Sequence, residues 1–143
     1  MTTLAELRSA LAKPKRPHIR VSDKSQRTDA DGIVHDSKAE MLRWKELQLR
    51  ERAGEISYLR RQMKFPLTVN GGEAIMIYSP RYQSGRAVTY TADFAYRNSS
   101  GRLVIEDVKG AWTDYARLKI AIFEACYGTR VLITGAAKMR RRA

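Results

Sequence analysis

Three residues on two neighbouring stretches carry the most informative chemistry in this sequence. Asp93 sits in Tyr90-Thr91-Ala92-Asp93-Phe94-Ala95-Tyr96, and Asp107 and Lys109 sit in Val104-Ile105-Glu106-Asp107-Val108-Lys109-Gly110. A carboxylate is a poor occupant of a strand interior unless something binds it. Side chains alternate along a strand, so Asp107 and Lys109 share a face, while Glu106 points the other way to pair with a base. A hairpin through Ser99-Ser100-Gly101 brings Asp93 towards Asp107. Two carboxylates and an ammonium suit phosphodiester hydrolysis. The acids hold Mg2+, with Mn2+ as a substitute, through oxygen ligands. The cation lowers the pKa of a bound water, and the lysine orients that water or offsets the growing charge. The same residues also fit a plain buried salt bridge of Asp93 or Asp107 with Lys109, because so short a motif recurs without function.

The elements that must position these residues can be read from periodicity and punctuation. Ser37 and Glu40 match the S-x-x-E capping box, which opens a helix running through Met41, Leu42, Trp44, Leu47 and Leu49 to a stop at Gly54. In that box the Glu40 carboxylate accepts the Ser37 N–H, a purely structural role. Residues 56–69 are rich in strand formers, with Pro66 limiting pairing near one point. Asn70-Gly71-Gly72 is a turn, residues 74–78 a second strand, and residues 80–86 a polar loop. From Val88 to Tyr96 the alternation puts Tyr90, Ala92, Phe94 and Tyr96 on one face. After the strand 103–109, a helix over about 113–127 buries Leu118 and Ile122, with Tyr115 at the same spacing, and ends at Gly128. Residues 130–134 form a last strand. A helix joining two strands calls for some parallel pairing. The expected fold is therefore α/β, a mixed central sheet flanked by helices.

The charge balance names a class of partner. Of 143 residues, 27 are Lys or Arg and 15 Asp or Glu, a net charge of +12, which points to a polyanion, most simply nucleic acid. No apolar run is long enough to span a bilayer, and the N-terminus lacks the apolar core of a signal peptide, so no membrane partner and a cytoplasmic location are expected. The single cysteine, Cys126, fits a reducing compartment and packs among apolar helix residues. His18 and His35 lack the companions of a zinc site and read as loop histidines. Residues 1–35 read as a short helix followed by a mobile basic arm, 36–135 as the folded domain and 136–143 as a basic tail. Arg117 and Lys119, on the helix beyond the acids, are candidates for DNA phosphates, as are Lys13, Lys15, Arg16, Arg140, Arg141 and Arg142. Trp112, beside Gly110, is a candidate for base stacking, whereas Trp44 belongs to the core.

An acid on one strand, a short hairpin and D-x-K on the next strand resemble the PD-(D/E)XK nuclease superfamily, and the order helix-strand-strand-strand-helix-strand resembles its restriction-endonuclease-like core. Ala92 stands where the pattern has proline. The segment Gln62-Met63-Lys64-Phe65-Pro66 resembles a glutamine-bearing strand of the transposase-subunit endonucleases. The run from His35 to Gly128 looks like a family of small phage and prophage nucleases through Ser37 to Glu40, Arg52 to Ile56, Gln62 to Phe65, Tyr90 to Phe94 and Glu106 to Gly110. The resemblance implies a catalytic set of Asp93, Asp107, Lys109, Glu40 and Gln62, with Asp93, Asp107 and Glu40 as metal ligands. It implies an Mg-dependent endonuclease acting on DNA. Similar size and charge to the Holliday-junction resolvases imply branched DNA as substrate and a homodimer as assembly, by analogy of fold. The competing expectation is a non-catalytic DNA-binding protein with a structural acid and lysine cluster.

Overall fold

The structure is a computed structural model that describes residues 22–136. Helix α1 (Lys38–Arg52) starts where Ser37 Oγ accepts the Glu40 N–H at 3.1 Å. The reciprocal half of the capping box is shifted by one residue, since Glu40 Oε2 accepts the Asp36 N–H at 3.1 Å rather than that of Ser37. Strand β1 (Ser57–Pro66) ends where proline removes the next donor. Two short hairpins follow: β2 (Thr68–Val69) with β3 (Glu73–Ala74), and β4 (Met76–Ser79) with β5 (Tyr82–Ala87). Then come β6 (Thr89–Arg97), β7 (Leu103–Val108), helix α2 (Asp114–Tyr127) and β8 (Val131–Thr134).

The central sheet has the order β1-β6-β7-β8, antiparallel throughout except for the parallel β7–β8 pair. Parallel neighbours need a crossover, which α2 provides. One core joins Ile120 and Phe123 of α2 to Tyr90, Ala92, Ala95, Ile105, Val131 and Ile133, and the other joins Leu47 of α1 to Ile56, Phe94 and Tyr96. Ile105 belongs to the first and Val104 and Val108 pack on the second, so the helices cover opposite faces. The fold is α/β, a mixed sheet between two helices.

Four local expectations are corrected. Residues 80–86 are not a loop: Pro80-Arg81 is a tight turn, and Tyr82–Ala87 pairs with β4. In α2, Tyr115 and Leu118 are exposed, and Ile120 and Phe123 form the buried stripe instead. Cys126 is exposed, its Sγ donating to the Thr68 carbonyl. Residues 22–35, read as arm, are folded: a 3-10 turn (Lys24–Arg27) leads to a bridge between Thr28 and Val34, and His35 is fully buried. The helix expected near the N-terminus, and the candidate contacts Lys13, Lys15, Arg16, Arg140, Arg141 and Arg142, lie outside the described residues.

A fifth correction concerns β6. Tyr90 and Ala92 join the α2-side core, whereas Phe94 and Tyr96 join the α1-side core. Even-numbered residues of a regular strand stay on one face, so β6 turns over between Ala92 and Phe94. β1 does the same: Leu59 packs on the α1 side, where the Arg61 guanidinium lies 5.4 Å from the Trp44 ring centroid, but Met63 and Phe65 pack on the α2 side. The residue between, Gln62, has φ 50°, a left-handed conformation that costs a non-glycine residue about 1–2 kcal/mol. Arg61 pairs with Phe94 and Met63 with Ala92, so Gln62 stands opposite Asp93.

Candidate active site

The turnover of β1 and β6 assembles the acidic cluster. Beyond Phe94 the β6–β7 ladder stops, and the Val108 N–H is taken by Asp93 Oδ2 at 2.7 Å. Asp107, on the α2 face of β7 and nearly fully buried, bonds Lys109 Nζ through Oδ1 at 2.7 Å and the Tyr90 hydroxyl through Oδ2 at 3.0 Å. Asp93 and Asp107 are near neighbours, and a hydrogen bond between two carboxyls forms only when one of them holds a proton. Burial, and then that bond and the charge of Asp107, push the Asp93 carboxyl up to about 8; the Val108 N–H pulls the other way. Burial and the Asp107 charge also raise the Tyr90 hydroxyl far above its ordinary value, so it remains a donor.

Glu40 approaches from α1, also nearly fully buried, and its charge adds to the upward push on Asp93. Its Oε1 accepts from Gln62 Nε2 at 3.1 Å, so the strained glutamine ties β1 to the start of α1. Behind Glu40 stands His35, which is a buried partner in a polar group and not the loop histidine expected. His35 Nε2 lies 2.9 Å from Asp29 Oδ2, and His35 Nδ1 lies 3.6 Å from Glu40 Oε1. The hydrogen bond from His35 holds the Asp29 carboxyl below its usual value. Arg61 Nη2 completes the group, 3.8 Å from Glu40 and 3.4 Å from His35 Nδ1. No sequence pattern marks this chain of contacts; His35 stands two residues ahead of the capping Ser37 without a periodic partner.

Glu106 faces away from the acids and pairs with a base. Arg43 grips it through two bonds of 2.6 and 3.0 Å, and Tyr96 and Thr134 each donate one more at 2.9 Å. Glu106 is thus a structural anchor between α1, β6, β7 and β8. Of the remaining candidates, Lys119 shares a pocket of about 180 Å³ with Asp107, Lys109 and Tyr90. Arg117 is exposed at the start of α2, 5.9 Å from the ring of Trp112, which packs partly against the core.

The donor set fits a hard divalent cation in part. Two oxygen acids meet where burial disfavours both being ionised without a counter-charge. Among the described residues, however, no group of three or more His, Cys, Asp or Glu side chains is arranged to hold a metal, and the Glu40 carboxylate already accepts from the Asp36 N–H and from Gln62. Asp93 and Asp107 are therefore the ligands this geometry offers. Among the described residues, no helix is long and apolar enough to cross a membrane.

Neither a curated protein nor a solved structure matches the chain. A family model does match residues 21–140, from just before the first described residue to beyond the last strand, and the chain accordingly belongs to the family described as "Protein of unknown function (DUF1064)".

Proposed function

We propose that this protein is a metal-dependent DNA endonuclease of the PD-(D/E)XK type. One observation carries the reading: a buried carboxylate, Asp107, beside a half-buried one, Asp93, with Lys109 bonded to the first, at the point where β6 leaves β7. Asp93 and Asp107 would hold Mg2+ or Mn2+, which supplies charge compensation for a phosphate and an acidified water. Lys109 exchanges its bond to Asp107 for the attacking water or a phosphoryl oxygen and offsets the charge that develops there. Tyr90 keeps Asp107 oriented, and Val108 keeps Asp93 oriented, through the bonds already made. Glu40, held by the Asp36 N–H and by Gln62, shapes the field at Asp93. The net charge of +12 supports a DNA substrate. Branched DNA and a homodimer follow from the resemblance alone, and the single cysteine fits a reducing, cytoplasmic location.

A second reading has its own support. The 2.7 Å Asp107–Lys109 pair and the missing third ligand also suit a DNA-binding protein with a structural cluster. Cleavage of labelled linear, single-stranded, flap and four-way-junction DNA, with Mg2+ or Mn2+ against EDTA, decides between them. The nuclease reading expects metal-dependent cutting that Asp107→Asn abolishes while binding persists. Tight binding without cutting of any form favours the second.

A further inference from the structure

Two depressions flank the first half of α2 and share two of their walls. The pocket at Asp107 includes Lys109, Tyr115 and Lys119. A smaller one of about 60 Å³, between α2 and the β4–β5 hairpin, takes Ile77 and Arg86 together with the same Tyr115 and Lys119. The two make one path from the acid pair to the inserted hairpin. Three cations line it, Lys109, Lys119 and Arg86, and Asp107, already bonded by Lys109 and Tyr90, is the one acid in either lining.

The outer two cations are held by rings rather than by acids. Lys119 Nζ lies 5.3 Å from the Tyr115 ring centroid, and the Arg86 guanidinium lies 5.4 Å from that of Tyr82. Neither residue has an ion pair among the described residues. Partial burial, then the charges of Arg86 and Lys109, lower the pKa of Lys119. Gathered like charges without a counter-ion are relieved by an anion, and apart from one Arg86 Nη1 bond to the Tyr82 hydroxyl at 3.3 Å the ring contacts leave their N–H donors available to one. Ile77 pairs with Arg86 in the hairpin, so the same ladder that exposes the guanidinium also supplies an apolar wall.

We propose that Arg86 and Lys119 form a phosphate track that carries the DNA backbone away from the Asp93–Asp107 pair, with the β4–β5 hairpin as its far wall and the exposed Tyr115 ring as a surface for a base. The identity of the anion rests on the nuclease reading. The occupant is a single DNA strand, since stacking on Tyr115 requires an unpaired base.

The test is binding of a fluorescent single-stranded DNA oligonucleotide in EDTA over a salt series, in which no cutting occurs. Each cation that meets a phosphate adds about 0.7 to the slope of log K against log salt on a single strand. Arg86→Gln and Lys119→Gln should each flatten the slope by about that amount, and the double variant by about twice as much. Arg102→Gln, on the exposed β6–β7 turn, should leave it unchanged. Circular dichroism checks that the variants are folded, and Arg86→Lys, which keeps the charge, should retain the slope. Wild-type slopes in Arg86→Gln and Lys119→Gln, or an equal loss in Arg102→Gln, would overturn the track, even if the protein cuts DNA. Flattened slopes in a protein that never cuts would keep the track and remove the nuclease.

Discussion

Gln62 and Asp93 stand opposite each other in the β1–β6 ladder, each at the residue where its strand turns its side chains over to the other face. The left-handed backbone of Gln62 makes the turnover in β1, and Asp93 makes it in β6, where the ladder with β7 ends. The pair therefore does two things at once. It sends the amide of Gln62 to Glu40, and it frees the Asp93 carboxylate for Val108 and Asp107.

Substitutions at Gln62 separate backbone from side chain. Gln62→Gly relieves about 1 kcal/mol of strain and loses a hydrogen bond of about the same worth. Its urea midpoint should stay near that of wild type, while metal-dependent cutting falls at least tenfold. Gln62→Val puts a β-branched residue at positive φ and should cost about 2–3 kcal/mol. Full activity in Gln62→Gly would reduce Gln62 to a backbone role.

The Asp93 carboxyl, pushed up to about 8, predicts how stability changes with pH in EDTA. The folded state holds a proton there that the unfolded chain gives up near 3.8. This stabilisation is complete below the unfolded value and is lost as pH rises towards the folded one, by at most about 1.4 kcal/mol per pH unit. The urea midpoint of wild type should therefore fall relative to that of Asp93→Asn across this window. Excess Mn2+, which binds the deprotonated pair, should recover the loss. Parallel pH profiles for the two proteins would remove Asp93 as the titrating group.

Breaking the Arg43–Glu106 fork leaves a fully buried carboxylate short of its main partner. Arg43→Ala should cost about 3–5 kcal/mol in chemical denaturation, whereas Arg43→Met combined with Glu106→Leu should recover much of it. A loss below about 1 kcal/mol would mean that Glu106 rehydrates without disturbing the sheet.

His35 acts through Glu40, so its loss should appear in turnover and not in affinity. His35→Ala leaves Asp29 without its buried partner, at a cost of about 1–3 kcal/mol. DNA affinity in EDTA should be unchanged, while cutting at saturating DNA falls. An affinity loss as large as the loss in cutting would place His35 at the DNA instead.

The mixed sheet, its crossover helix and the placement of Asp107, Lys109 and Glu106 on their faces were legible because β7 is a regular strand, and period-two alternation reads such a strand correctly. The same rule failed in β6, where it put Phe94 beside Tyr90. A left-handed glutamine leaves no mark in hydrophobic periodicity, so the turnover was invisible. In α2, Leu118 looked like core because it is apolar, but Ile120 and Phe123 are the residues that meet Tyr90 and Ile105. His35 was unreadable for a different reason: its partners, Asp29, Glu40 and Arg61, come from three separate segments, and only tertiary structure unites them.

The parallel seat of β8 bears on when this protein becomes complete during its synthesis. Asp107 lies in register with Ile133, and the Lys109 N–H bonds the Thr134 carbonyl. Both residues of the D-x-K strand thus take their final support from a segment made after the whole of α2. Pairings between distant segments form late, because loop closure must precede them. A nascent chain that has released α2 but not β8, or one clipped ahead of Val131, carries every acid and lysine of the cluster without the strand that braces them. The late strand works as an interlock, tying assembly of the cluster to delivery of the full domain.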